Sequence, residues 1–258
     1  MTQNLLSNTS FGTLLGDWRK KRRFSQLSFG LLADVSPRHI SFLETGRAKP
    51  SREMVLKLAK FLDMPKTETN RALLLAGFSP AYLTRSPDDI DLAPIHQAIT
   101  MLLDNHMPYP AIGLDALWNI KMYNAAAVKL LSEAGLGGHT NMIEALIDQT
   151  PTQSAIENWD EAIGLLLEHL QTELSSRGDD PQLQNLVQKL SKHYLRYGGT
   201  THIDNTKAVI PTRLKIGAQT ISVFSTIVNF STVQDITLND LKIELMFPMD
   251  EASKAYFE

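Results

Sequence analysis

Apolar residues at helical spacing dominate the N-terminal part of the chain. Phe11, Leu14, Leu15 and Trp18 form one apolar stripe and predict a first amphipathic helix. Serine or threonine, whose side chain can cap exposed backbone N–H groups, precedes four further apolar segments. These start signals are Ser25, Ser36, Ser51 and Thr67, and Gly77 follows the last segment as a C-terminal cap. We therefore predict an all-α domain of five helices at residues 11–79, after a flexible N-terminus at residues 1–10.

A polar segment and one amphipathic helix separate this region from the rest of the chain. The segment 80–91 contains two prolines and three aspartates, which is typical of a linker. Apolar residues then recur at helical spacing between positions 92 and 107, and Pro108 and Pro110 mark the end of that helix. We predict a linker and a connecting helix over residues 80–108.

The remaining residues, 109–258, combine two periodicities. Segments 111–117 and 119–123 predict short strands, and helical spacing predicts helices from Asn124, Trp159 and Pro181. Near the C-terminus, alternation predicts three antiparallel strands with one buried face. The alternating residues are Thr212, Leu214 and Ile216, then Ile221, Val223 and Ile227, then Leu241, Ile243, Leu245 and Phe247. The fold class that we predict is α+β, with the five-helix domain followed by a domain of an antiparallel sheet and helices.

Composition and charge narrow the classes of function. A chain of 258 residues is long enough for two domains, and the absence of cysteine excludes disulfides and thiolate metal sites. The net charge of −3 hides an asymmetry, because residues 1–78 carry 13 basic and 6 acidic side chains while the rest carry 12 and 22. A basic module joined to an acidic one suggests that the first module meets a polyanion.

Residues 25–47 have the mechanical features of a helix-turn-helix. Gly30 is small where two helices must cross closely, and Asp34 occupies the tight turn between them. Ser36 can cap the second helix, and Pro37 suits its first position. That helix can present its outward side chains to a DNA major groove, which is wide enough to admit it. These side chains are Arg38, His39, Ser41 and Phe42.

This segment resembles the Cro/lambda-repressor-like, or XRE-type, helix-turn-helix family. The matching residues are Ser25-Gln26, Gly30, Ile40-Ser41, Glu44, Gly46-Arg47 and Pro50, although the family usually has alanine at position 30 and glycine at position 34. The resemblance implies a double-stranded DNA operator as partner, with phosphates held by the glutamine and the Gly-Arg loop and bases read by the second helix. The DNA-binding residues that we predict are Gln26, Ser36, Pro37, Arg38, His39, Ser41, Phe42, Arg47 and Lys49.

Several of these residues have a second interpretation. Gln26 could cap its helix instead of contacting phosphate, and Arg38 could contact a guanine or only the phosphate backbone. Phe42 could touch a thymine methyl group or pack on the protein. Glu44 is expected to be structural, because in the family the acid at this place pairs with an arginine of the first helix, which here is Arg19.

The C-terminal part resembles the ligand-binding domain of MmyB-like regulators. The resemblance lies in segments 110–112, 118–120, 123–127 and 158–162 and, most specifically, in 230–250; segment 76–80 resembles the junction used by these regulators. It implies a PAS-like ligand-binding and dimerisation domain at residues 109–258. The implied ligand is a small apolar molecule such as a fatty acid, with no other cofactor.

Strand 221–230 is apolar on both faces, so it is either packed between two layers or lines a cavity. We predict a pocket for an acyl chain between the sheet and the helices, with Tyr194 and Arg196 as candidate partners of a carboxylate and Arg213 as the weakest one. The predicted ligand-binding residues are Trp118, Met122, Ile163, Leu166, Leu167, Leu170, Tyr194, Arg196, Val223 and Ile227.

These observations together predict a DNA-binding transcription regulator with a sensor domain. A homodimer is expected because one helix-turn-helix reads only a half-site. The alternative is a ligand-free C-terminal scaffold for dimerisation or protein contact. An enzyme is not expected, because the histidines lack partners at metal-ligand spacing and His202 with Asp204 is a lone pair. The sequence has no export signal and no membrane-spanning segment, so we expect a cytoplasmic, nucleoid-associated protein without a membrane partner.

Overall fold

The computed structural model describes residues 10–85, 89–177, 180–200, 209–230, 235–236 and 240–258. Its internal contacts divide the chain into two compact units, the first formed mainly by residues up to Thr84 and the second mainly by residues from Arg85 onward. The predictions for residues 1–9, for Pro87 and Asp88, for the pair His202 and Asp204, and for parts of the 230–250 motif lie outside the described residues.

The first unit contains the five helices that the caps predict. They are α1 (Phe11–Lys21), α2 (Gln26–Ala33), α3 (Pro37–Glu44), α4 (Arg52–Phe61) and α5 (Lys66–Leu75). The serines before α1 to α4 each accept the backbone N–H of the residue three positions later, as an N-cap does. The fifth helix begins one residue before Thr67 and has no side-chain cap. The prediction of an all-α N-terminal domain is confirmed.

Close helix crossings in this unit depend on glycine. A methyl group on Gly30 would lie 2.5 Å from the carbonyl oxygen of Val35, and one on Gly12 would lie 2.4 Å from that of Glu44. No larger side chain fits at either place without moving the backbone. The turn between α2 and α3 is made by Asp34 in the left-handed region, at φ 49°, which aspartate tolerates better than most residues. The sequence-based roles of Gly30 and Asp34 are confirmed.

The second unit is an α+β domain around a five-stranded sheet. Its strands are β1 (Ala111–Leu114), β2 (Ile120–Tyr123), β3 (Thr212–Ile216), β4 (Gln219–Asn229) and β5 (Lys242–Pro248). They run antiparallel to their neighbours in the order β2-β1-β5-β4-β3. The helices are a short 3-10 turn (Ile90–Leu92), α6 (Ala93–Asn105), α7 (Ala125–Glu133), α8 (Met142–Ile147), α9 (Trp159–Arg177), α10 (Pro181–Arg196) and α11 (Glu251–Phe257). The predicted α+β class is confirmed.

A tight turn ends β1 earlier than the sequence suggested. One carboxylate oxygen of Asp115 accepts the backbone N–H groups of Leu117 and Asn119, each at 2.9 Å. Trp118 adopts a positive φ of 65° in this turn, and its side chain is buried. The strand therefore stops at Leu114 rather than at residue 117, and the turn directs the indole of Trp118 into the domain.

Both faces of the sheet are covered, whereas the alternation predicted one buried face. On one face, Ile99 and Leu103 of α6 form a cluster with Ile243 and Leu245 of β5. The opposite face packs against α7, α8, α9 and α10 in the largest apolar cluster of the described residues. Helix α6, which the sequence presented as a connecting helix, is thus one layer of the second unit.

Candidate DNA-binding surface and ligand cavity

The exposed face of α3 is set up by its first turn. The hydroxyl of Ser36 accepts the backbone N–H of His39 at 3.2 Å, and Pro37 occupies the first helical position. Ile40 and Leu43 are buried and anchor the helix to the core of the unit. The opposite side of α3 is left open, with Arg38 exposed and with His39, Ser41 and Phe42 half-buried.

Phe42 forms an aromatic platform for two arginines. The guanidinium carbon of Arg38 lies 5.2 Å from the centre of the Phe42 ring, and that of Arg47 lies 6.0 Å from it. Such contacts are attractive because the ring face carries negative charge. The ring therefore holds two cations beside each other on one surface. The arginine platform was missed from the sequence, and the contact of Phe42 with a thymine methyl group stays a prediction.

A hydrogen-bonded group behind this surface joins α1, α2 and α3. Arg19 donates from Nε and from a terminal nitrogen to the two carboxylate oxygens of Glu44, at 2.5 and 2.9 Å. The Arg19 and Glu44 side chains are only 10% and 11% exposed. Gln26 donates to the same carboxylate at 2.8 Å. The predicted pairing of Arg19 with Glu44 is confirmed, and Gln26 retains a second amide hydrogen for another acceptor.

The charge state of Glu44 follows from these contacts. Burial alone would raise the pKa of the carboxyl, but hydrogen bonds from Arg19 and Gln26 and the nearby positive charges hold it below the ordinary value. Glu44 is therefore ionised at neutral pH, and it orients both the arginine and the glutamine.

Two further basic residues of this unit donate hydrogen bonds to its backbone carbonyl groups. Arg22 donates to the carbonyl oxygens of Leu62 and Asp63, and Arg52 donates to that of Ser79 at 2.5 Å. Arg22 therefore fixes the residues that directly follow α4, and Arg52 fixes the segment after α5. Arg47 and Lys49, in contrast, are exposed in the loop after α3 and remain suitable for phosphate contact.

The second unit contains a cavity of about 640 Å³ between the sheet and the helices that cover it. Strands β3, β4 and β5 form one wall, and the other wall comes from α7, α8 and α9. Its lining is mainly aliphatic. The predicted residues that line it are Trp118, Ile163, Leu166, Val223 and Ile227.

Comparison with protein families assigns both units. Residues 95–258 match the family model of the MmyB-like transcription regulator ligand binding domain. The chain belongs to this family of regulators. Residues 15–68 match the model of the helix-turn-helix, so the protein is a DNA-binding transcription regulator, as both resemblances implied. No curated protein matched the chain.

The described residues of the regulator contain neither a membrane-spanning helix nor a side-chain cluster suited to a metal ion. None of the helices described is long and apolar enough to cross a membrane. Within the same residues, no group of three or more histidine or acidic side chains could hold a metal ion.

Half of the predicted ligand-binding residues of the regulator do not line the cavity. Met122 pairs with Gly113 across β1 and β2 and packs with the α6 cluster on the opposite face of the sheet. Leu167 and Leu170 are buried in the apolar core, because that side of α9 packs against neighbouring residues. These three residues therefore lie outside the lining of this cavity.

Tyr194 and Arg196, the predicted partners of a carboxylate, also lie elsewhere. The Tyr194 hydroxyl donates to the carbonyl oxygens of Thr200 and Asp160, at 2.5 and 3.3 Å, and burial with the nearby Asp160 raises its pKa. Arg196 is exposed near the end of α10, with its guanidinium 5.7 Å from the centre of the Tyr197 ring. The structure thus places both residues outside the lining of this cavity.

The polar lining of the cavity was missed from the sequence. Its members are Glu168, His169, Thr212, Ser225 and Glu244. Burial raises the pKa of Glu244, although a hydrogen bond with Ser225 and the charge of Lys242 act in the opposite direction. Burial lowers the pKa of His169, because it disfavours the charged form of this base, and the neutral form is favoured.

A buried ion pair lies at the Trp118 side of the cavity. The ammonium of Lys242 contacts both carboxylate oxygens of Glu173, at 2.9 and 2.8 Å, and lies 4.1 Å from the centre of the Trp118 ring. The Trp118 indole donates to the same carboxylate at 3.0 Å. Glu173 thus compensates the charge of Lys242, and the group fixes the tryptophan ring that lines the cavity.

Proposed function

We propose that this regulator binds its operator as a homodimer and that a small apolar molecule with an acyl or alkyl chain, such as a fatty acid, occupies the cavity and changes DNA binding. The cavity of about 640 Å³ is the observation that supports this proposal. Its size and its largely apolar lining are those of small-molecule sites. A filled core in its place would instead favour the ligand-free scaffold.

The DNA side of the proposal depends on the α3 surface. Arg38 lies exposed on the helix that would enter the major groove, and a guanidinium can make two hydrogen bonds to guanine. Arg47 and Lys49 carry positive charge beside it for the phosphate backbone. One such surface covers a half-site, so two copies related by a twofold axis would read a palindromic operator.

Replacing Arg38 with alanine should weaken operator binding by about 1–3 kcal/mol and relax the sequence preference, because a base contact is lost. Gln26→Ala should weaken operator and scrambled duplexes by similar factors, because its proposed partner is phosphate. Phe42→Leu removes the aromatic platform and should therefore reproduce part of the loss of operator affinity that is expected for Arg38→Ala. Fluorescence-anisotropy titrations of the three variants on both duplexes at several salt concentrations measure these effects. If Arg38→Ala weakened binding to both duplexes by the same factor, Arg38 would be a contact to the DNA phosphate backbone and not to a base.

Ligand affinity should rise with chain length until the cavity is full. Burial of each methylene group contributes about 0.8 kcal/mol, or roughly a fourfold gain in affinity. Calorimetric titration with saturated fatty acids and with primary alcohols of increasing length tests this relation. A rise in either series supports an apolar site. Affinities that are absent or independent of length in both series would favour the scaffold instead.

Coupling to DNA is measured by repeating the operator titrations with saturating ligand. A ligand shifts DNA affinity only if it binds two arrangements of the protein unequally, and the operator must then shift ligand affinity by the same factor. Analytical ultracentrifugation with and without the operator duplex independently measures the oligomeric state, and we expect two protein chains per operator.

A further inference from the structure

Four consecutive basic residues at positions 20–23 cover the end of α1 and lead to the turn before α2. The structure divides this run between two sides of the helix. The ammonium of Lys21 and the guanidinium carbon of Arg22 lie 5.1 and 5.4 Å from the centre of the Trp18 ring. Arg22 also donates to the carbonyl oxygen of Leu62, directly after α4, at 2.9 Å. These two cations therefore serve the packing of α1 within its own unit.

Lys20 lies on the side of α1 that faces the end of α3. A methyl group on Gly12 would lie 2.4 Å from the carbonyl oxygen of Glu44, and one on Gly16 would lie 3.5 Å from the carboxyl carbon of the same residue. Residues four positions apart share a helix face, so Lys20 continues this stripe one turn beyond Gly16. Lys20 is exposed, and its positive charge lowers the pKa of Glu44. The lysine is therefore a surface cation beside the Glu44 carboxylate.

The Glu44 carboxylate connects this side of α1 to the start of α2. Gln26, the first residue of α2, donates one amide hydrogen to the carboxylate at 2.8 Å and has a second one to donate. The first turn of a helix also attracts anions through its backbone N–H groups and the helix dipole. Glu44 already accepts two hydrogen bonds from Arg19 and one from Gln26, so its charge is compensated without Lys20. The exposed ammonium of Lys20 can therefore approach an anion outside the protein.

We infer that Lys20 and Gln26 together bind one phosphate group of the DNA backbone at the first turn of α2, beside the α3 surface. The inference rests on the proposed function and adds a phosphate site to the proposed operator contact. Lys20 supplies positive charge, and the Gln26 amide, oriented by Glu44, supplies a directed hydrogen bond. Lys21 and Arg22 take no part in this site, because both pack against Trp18.

The salt dependence of DNA binding tests the phosphate contact. Fluorescence-anisotropy titrations use the full-length protein with a labelled operator duplex and with a labelled duplex of random sequence. Loss of one phosphate contact should make the slope of log K against log salt shallower by about 1, and Lys20→Gln should weaken binding to both duplexes roughly five- to tenfold at about 0.1 M salt. Lys20→Arg keeps the charge and should keep the wild-type slope. Lys21→Gln removes an equal charge from the next residue and is the matched control, for which we expect an unchanged slope.

A double-mutant cycle tests whether Lys20 and Gln26 hold the same phosphate. The variant with both Lys20→Gln and Gln26→Ala should lose less affinity than the product of the two single losses, because residues that share one partner are coupled. A loss equal to that product would overturn the shared site. A wild-type slope in Lys20→Gln, or an equal change of slope in Lys21→Gln, would overturn the role of Lys20 while leaving the proposed function in place. Absence of wild-type binding to both duplexes would overturn the proposed function and this inference with it.

Discussion

Glu44→Ala is expected to destabilise the helix-turn-helix unit by about 2–3 kcal/mol. Removing one partner of a buried ion pair leaves the other charge uncompensated, which costs about 3–5 kcal/mol when burial is complete. The two side chains here retain roughly a tenth of their exposure, so a value at or below the lower end is expected. Arg19 would keep only its hydrogen bond to the Phe24 carbonyl oxygen, and Gln26 would lose its partner.

Hydrogen–deuterium exchange of peptides from α1 and α3 in the full-length protein measures this loss of stability separately from the stability of the second unit. Glu44→Gln retains an acceptor oxygen, so it should lose less protection from exchange than Glu44→Ala does. Glu53→Ala, a change of an exposed acid in α4, should leave exchange in α1 and α3 unaltered. Protection in Glu44→Ala equal to that of the wild type would contradict a structural role for the pair.

Acid should reproduce part of the same effect. The pKa of Glu44 is lower in the folded protein than in the unfolded chain, so its contribution to stability is fully present above the unfolded value of about 4.3. That contribution is lost as the pH falls through the lower, folded value. Glu44→Gln should therefore remove the corresponding part of the acid sensitivity of α1 and α3 exchange.

The N-terminal unit could be predicted from sequence because its signals are local. A serine cap and the helix that it starts lie within four residues, and each such pair at Ser25, Ser36 and Ser51 is found where the sequence placed it. Asp34 stands at the turn position where the family usually has glycine, and the turn is preserved because aspartate can adopt the left-handed conformation. The Phe42 platform was missed because it depends on Arg47, which lies beyond the end of α3.

The cavity was harder to predict because its walls meet only in the tertiary structure. On α9, Ile163 and Leu166 line the cavity, while Leu167 and Leu170 belong to the same apolar stripe but pack in the core. A helical period identifies such a stripe, but it does not show which of its residues line a cavity and which pack in the core. The division depends on neighbouring elements that are distant in sequence.

Strand β5 shows why the polar lining was overlooked. Its alternating apolar residues, including Ile243 and Leu245, were expected to face the only core, but they face α6. The intervening residues, including Lys242 and Glu244, therefore point towards the other covered face. Polar residues on an antiparallel strand usually indicate a solvated face, and this rule fails when helices cover both sides of the sheet.

Leu166→Trp is expected to abolish most ligand binding without unfolding the second unit. Leu166 lines the cavity, so the larger indole can occupy space that is empty in the wild type. Displacing two or three methylene groups of a bound chain would cost about 2 kcal/mol, or roughly a 30-fold loss of affinity for the longest chain that fits. The gain in affinity with chain length should also stop at a shorter chain.

The stability of Leu166→Trp distinguishes a cavity from a packed core. Inserting a larger side chain into filled space costs about 1–3 kcal/mol through strained rotamers and backbone shifts, whereas filling a void does not. Thermal denaturation of the second unit should therefore show a melting temperature equal to or above that of the wild type. Leu195→Trp introduces the same side chain at a position of α10 that is 60% exposed and should leave both stability and binding unchanged. Strong destabilisation by Leu166→Trp, together with no binding in the wild type, would identify a core in place of a sensor, since the same substitution cannot both fill a void and strain its surroundings.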